Sequence, residues 1–120
     1  MNVVKVIDFS STPERWEQRR LADLPGRVVK GDPHHTAVTR YDSGPSGLSA
    51  GTWTSTPGMW HVFSHRDEFC VIIQGHVRLI AKDGSTQTFK TGDSFLIPNG
   101  FEGYWEVIET TTKHYVIRSY

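Results

Sequence analysis

The sequence predicts an all-β sandwich or barrel preceded by one short helix, and three observations carry that reading. From Thr36 onward the chain breaks into short segments rich in β-branched and aromatic residues, punctuated by Gly, Pro, Asp and Ser. Asp83-Gly84 sits between two such segments, and that dipeptide favours a type I′ hairpin turn whose central residues both take positive φ. No apolar repeat of helical period occurs beyond residue 25.

Taken in order, Val3-Val4-Lys5-Val6-Ile7 is short and β-branched and reads as a first strand. Ser11-Thr12-Pro13-Glu14 then offers a hydroxyl cap, a proline for the first turn and an acid at the positive end, so a helix is expected from roughly Pro13 to Ala22. Its apolar positions Trp16, Leu21 and Leu24 are few, which places it outside the barrel, and Leu24-Pro25-Gly26 stops it. Residues 1–30 are therefore expected as a strand and helix packed on a barrel formed by residues 31–120. Within the barrel the expected strands are Thr36 to Tyr41, Leu48 to Thr54, Met59 to Ser64, Glu68 to Gln74, His76 to Ala81, Thr86 to Phe89, Ser94 to Ile97, Gly103 to Val107 and Tyr115 to Arg118. Asp42 to Gly47 and Thr56-Pro57-Gly58 are the loops and turns between the first of them.

Composition narrows the function classes. Lys plus Arg equals Asp plus Glu at 13 each, with no run of like charge, so nothing favours nucleic acid or an anionic membrane surface as a partner. No stretch of about 18 consecutive apolar residues occurs and the N-terminal apolar run is too short for a signal peptide, which together lead us to expect a cytoplasmic protein. One cysteine, Cys70, cannot build a disulfide framework or a thiolate zinc site.

Two stretches carry a family likeness. Glu68 to Gly75 is followed, after the hairpin, by Gly92-Asp93-Ser94-Phe95-Leu96-Ile97-Pro98-Asn99-Gly100. These resemble the two motifs of the cupin barrel, G-x5-H-x-H-x3,4-E-x6-G and G-x5-P-x-G-x2-H-x3-N. The resemblance implies a cupin (RmlC-like) double-stranded β-helix, or jelly-roll barrel, and a homodimer. The segments Gly51 to Gly58, Asp67 to Cys70, Gly92 to Phe95, Gly100 to Glu106 and Lys113 to Ile117 look like one branch of small cupins. That branch includes (S)-ureidoglycine aminohydrolase-like and ethanolamine-utilisation proteins.

The family's glycines and proline match, but its metal ligands do not. Counting back from Glu68 with three intervening residues puts the two histidine positions on Val62 and Ser64; with four, they fall on His61 and Phe63. The second motif's histidine position is Gly103 and its asparagine position Val107. The aminohydrolase's four ligands correspond to Val62, Ser64, Glu68 and Gly103. Transition metals in such sites generally need about three protein ligands, so the expectation is a barrel without a metal cofactor. The alternative is one divalent transition metal in a hydrolase or lyase related to ureidoglycine aminohydrolase, using His61, Glu68 and a further ligand such as His65 or His114.

Period-two alternation then describes the pocket. If Val62 and Ser64 face inward so does Trp60; Glu68 is followed inward by Cys70 and Ile72; Gly103 brings Phe101 and Trp105. The expected ligand-binding set is Trp53, Trp60, Val62, Ser64, Glu68, Cys70, Phe101, Gly103 and Trp105, an apolar cleft with few polar anchors suited to a small organic molecule. Glu68 is the best catalytic candidate, either as a desolvated acid or base or as a structural acid bonded to backbone or to a lysine such as Lys113. Cys70, in an apolar run with no cation beside it, reads as an inert buried thiol. His34 and His35 read as a surface pair in a loop, and the facing of Lys113, His114 and Tyr115 is open at this point.

Overall fold

The computed structural model of the chain describes residues 3–24 and 26–120. Nine strands follow one another among them: β1 (Glu17–Arg20), β2 (Val28–Gly31), β3 (His34–Asp42), β4 (Leu48–Ser55), β5 (Gly58–Phe63), β6 (Arg66–Ala81), β7 (Thr86–Lys90), β8 (Ser94–Ile97) and β9 (Glu102–Ser119). Every pairing is antiparallel. The order β1-β3-β4-β9-β5-β2 runs through one curled sheet, and β6 joins it by pairing with β7, β8 and β9. The architecture is the expected all-β barrel.

Two long strands form its spine. Where the sequence suggested separate pieces, β6 runs unbroken through Gly75 and β9 through the threonine run Thr110-Thr111-Thr112. Register shifts between Ile72 and Val77 let these long partners bend around the barrel. Gly75 sits in that bend at φ +131, where a Cβ would lie 2.2 Å from Thr111 Oγ1. The glycine that ends the first motif is therefore required by a close strand crossing as well as by its backbone angle.

Two local expectations fail, and a third holds with a different turn. The helix over Pro13 to Ala22 does not form: residues 17–20 are β1, pairing Glu17 with Ala37 through Arg20 with His34, and Leu21–Asp23 make a single 3-10 turn. With so few apolar residues the segment could not build a helical face, whereas the open edge of β3 satisfies its backbone and Leu21 is buried in the core. The stop at Leu24-Pro25-Gly26 turns on Pro25, which lies outside the described residues. Val3 to Ile7 forms no strand and is exposed, because no neighbouring strand supplies hydrogen-bond partners. The hairpin at Asp83-Gly84 does form, but only Gly84 takes positive φ, at +89. Gly84 N–H donates to the Ala81 carbonyl and Asp83 accepts from Ser85 N–H, so the connection is a three-residue turn closed by a left-handed glycine.

The N-terminal strands belong to the same sheet as the rest: β1 pairs with β3, and β2 pairs with β5. No helix among the described residues is long and apolar enough to cross a membrane.

Candidate functional site

Strand alternation builds a cavity at one end of the barrel. On β6, Glu68, Cys70 and Ile72 point inward while Phe69 and Ile73 are exposed. On β9 the inward set is Trp105, Val107, Thr111, Lys113 and Ile117. β4 sets Trp53 directly across from Lys113, and β5 sets Trp60 across from Trp105. The result is a cavity of about 510 Å³ walled by Trp53, Trp60, Trp105, Val62, Ile97 and Ile117, with Glu68, Lys113 and His35 among its polar groups. Residues of β1 and the turn after it, from Glu17 to Leu24, form part of its rim.

Its polar centre is an ion pair. Lys113 Nζ donates to Glu68 Oε2 at 2.7 Å, and both side chains are buried. Nζ also lies 4.5 Å from the ring centroid of Trp53 and 4.6 Å from that of Trp105, two indoles stacked 5.9 Å apart. The ammonium is thus held by one carboxylate and two π-faces. Burial alone would raise the Glu68 pKa, but the Lys113 charge and hydrogen bond, with Arg66 Nη2 3.5 Å from Oε1, bring it below the usual carboxylate range. Burial likewise opposes the charge on Lys113, and Glu68 more than restores it, so the amine is held above its ordinary value. Both groups are ionised at neutral pH. Lys113 is an ammonium there, not a free amine nucleophile.

Cys70 lies behind this pair. Its thiol donates to Glu68 Oε2 at 3.4 Å and burial pushes its pKa up to about 12. A thiol held protonated in this way is a packing group rather than a nucleophile.

His35 corrects the sequence reading. It lies on β3 rather than in a loop, so alternation sends it into the cavity while His34 stays outside on Asp32. Its ring makes edge contacts with Trp53 at 4.9 Å and Trp60 at 4.8 Å, and its Nε2 is buried without a partner. Desolvation, with Lys113, Arg19, Arg27 and His34 adding repulsion, pushes its pKa down to about 4, so the imidazole is neutral.

Of the nine residues expected in the pocket, Trp53, Trp60, Val62, Glu68 and Trp105 line the cavity. Four are placed elsewhere. Ser64 is buried but donates to the Arg66 carbonyl at 2.6 Å, and its backbone bonds to Phe101 and Gly100, so it ties two turns together. Cys70 packs beneath the ion pair, and Phe101 packs on the outside of the core cluster. Gly103 is a crossing point: a Cβ there would lie 2.0 Å from the Ile80 carbonyl oxygen. Sequence reasoning left Lys113 and Tyr115 undecided and gave no role to Arg27 or Arg66, yet all four line the cavity.

The residues do not fit a transition metal. Among the described residues no three His, Cys, Asp or Glu side chains come together as a ligand set. His61 lies on the other face of β5 in a shallow cleft with Phe63 and Tyr104, away from Glu68. His65 is exposed, and His114 Nδ1 pairs with Thr52 Oγ1 while its ring meets Phe9. Glu68, the one carboxylate in the expected position, already binds a cation, and a metal beside it would face the Lys113 charge.

Comparison with known proteins agrees with this architecture. The EutQ-like cupin domain family matches residues 44–115. The structure of the Clostridium difficile EutQ protein superposes with a TM-score of 0.64 at 20% identity, covering 72% of this chain and 63% of that one. A protein of unknown function from Pseudomonas syringae pv. tomato, in the DUF861 family, gives 0.74 at 24% identity over 92% of this chain and 46% of its own. A Thermotoga maritima DUF861 protein gives 0.52 at 28% identity over 53% of this chain and 73% of its own. This chain spans less than two thirds of EutQ and less than half of the Pseudomonas protein. No curated protein sequence matches it.

Proposed function

The chain belongs to the EutQ-like cupin family, and from that premise we propose that it binds a small organic molecule in the tryptophan-walled cavity without a metal ion. The observation that carries this is the Lys113–Glu68 pair, which puts a protein ammonium beside the one carboxylate the family pattern leaves for a metal. A cavity of about 510 Å³, with a tryptophan wall facing charged and polar side chains rather than the largely apolar cleft the sequence suggested, has the dimensions of a small-molecule site. Elemental analysis of the purified protein and of Glu68→Gln tests the reading. We expect no stoichiometric transition metal in either; one metal per chain that falls away in the variant would replace this reading with the metal-dependent hydrolase or lyase.

A homodimer is proposed alongside it. Phe69 lies across from Leu96 on β8 and from Val116 on β9, a row of three exposed apolar side chains on the outer face. The β-branched segment Val3 to Ile7 is exposed and without strand partners in the single chain. A second copy would cover the row and supply those partners. Light scattering at micromolar concentration should give twice the chain mass for the wild type and less for Leu96→Asp; a wild-type monomer ends this proposal.

A further inference from the structure

The cavity's charge is out of keeping with the chain that forms it. Four basic side chains line it, Arg19, Arg27, Arg66 and Lys113, against the carboxylates of Glu17 and Glu68, in a protein of zero formal net charge. Glu68 stands between Lys113 at 2.7 Å and Arg66 at 3.5 Å, so one negative charge answers two cations. The ion pairs among the described residues leave out Arg19 and Arg27. Arg27 Nε donates to the His61 carbonyl at 2.7 Å, which anchors that side chain at the cavity wall. Such a lining favours a negative ligand.

The aromatic wall points the same way once its occupant is considered. Indole faces with a carboxylate between them are the usual receptor for an organic cation. Here Lys113 Nζ already sits over Trp53 and Trp105 and on Glu68. An amine ligand would have to displace a tethered ammonium, whereas an anion completes the charge of the cluster. His35, a neutral imidazole in the same wall, adds no negative charge that would oppose an anion.

We propose that the cavity selects a small monocarboxylate with a flat apolar body, its carboxylate meeting Arg66 and Lys113 and its body lying against the tryptophan wall. Arg19 and Arg27 at the rim draw the anion in. This deepens the binding reading above and rests on it.

Phenylacetate, phenylacetamide and 2-phenylethylamine share a ring and differ in charge, and they separate the two claims. Each is titrated into protein dialysed against a chelator, with calorimetry beside intrinsic fluorescence, since Trp53, Trp60 and Trp105 all line the cavity. We expect phenylacetate to bind at least about tenfold more tightly than the amide, and the amine to bind most weakly. Arg66→Gln, at a half-exposed position that spares the fold, should cut the acid-to-amide ratio by about tenfold, the loss of one charge-assisted hydrogen bond. An amide or amine that binds as well as the acid overturns the anion assignment and leaves the cavity reading standing. A preference for the acid that exists only before dialysis overturns the metal-free reading and this proposal with it. No response to any of the three up to millimolar concentration overturns both.

Discussion

The cavity and the outer face of the β5–β9 pair each hold a carboxylate gripped by two cations. In the cavity Glu68 meets Lys113 at 2.7 Å and Arg66 at 3.5 Å; outside, Glu106 meets Arg78 at 3.0 Å and Lys30 at 3.5 Å. The carboxylates are equally buried, with side chains 10% and 12% exposed. Their partners are not: Lys113 is 6% exposed, Arg78 40% and Lys30 71%. The outer cations stay in contact with water and lose little if the pair opens. Lys113 has no water to return to, and only Glu68 and two indole faces hold its charge. The same two residue types thus make a surface contact in one place and an obligatory pair in the other, and the difference lies in the solvation of the cation.

Substitution on each side breaks the comparison most sharply. Lys113→Met strands the buried Glu68 carboxylate with only the half-exposed Arg66, 3.5 Å away, to answer it, and should cost about 3 kcal/mol in chemical denaturation at neutral pH. Glu106→Gln keeps a hydrogen-bond acceptor for Arg78 and should cost less than about 1 kcal/mol. Adding Glu68→Gln to Lys113→Met removes the stranded charge and should recover most of the loss. Equal costs for the two single variants, or a double variant no more stable than Lys113→Met, would show that the cavity pair is as well hydrated as the outer one.

Much of this contrast could be read from the chain, and what could not has identifiable causes. Gly75, Gly92 and Gly100 are legible because their positive φ dictates them, and alternation along β6 correctly turned Glu68, Cys70 and Ile72 inward. Lys113 was named as a possible partner for Glu68, and the pair forms, but its facing stayed open because residues 108–114 fell between two expected strands. Read as one strand from Gly103, the same alternation carries Trp105 to Lys113 on one face, and the β-branched threonines were the signal. His35 was lost for the same reason, since β3 begins two residues before the apolar run that marked it. β1 has a charged sequence, Glu17-Gln18-Arg19-Arg20, with no strand pattern at all; only the edge of β3 makes it a strand, and no local signal announces that. Gly103 shows the converse failure. Its position in the motif was right, but a backbone crossing, invisible to motif counting, keeps it from the cavity.

The smallest expected effect sharpens the comparison by following acid into the cavity. His35 is neutral in the folded protein, with its pKa pushed down to about 4 from 6.5 by burial and then by Lys113, Arg19, Arg27 and His34. Between those values the unfolded chain takes up a proton that the folded chain refuses, so stability is full above pH 6.5 and falls as pH drops toward 4. Because the ring is only partly buried, solvent screening reduces the loss to roughly 1–2 kcal/mol. The ion pair lies outside the upper part of this window, above about pH 5. Glu68, lowered from 4.5, gives up its contribution only below that value, and Lys113, raised from 10.5, only above its own. His114, on the outer face, is lowered by burial and by Arg40 and adds to the same slope, so the difference between proteins is the informative quantity. His35→Phe keeps an aromatic ring against Trp53 and Trp60 and removes the titrating group. Between pH 7 and pH 5 it should lose less stability than wild type in thermal melts, with the two converging at neutral pH. Parallel losses would mean that water reaches His35 freely in the folded state. The indole wall would then not be dry, and the contrast between Lys113 and the outer cations would lose its physical basis.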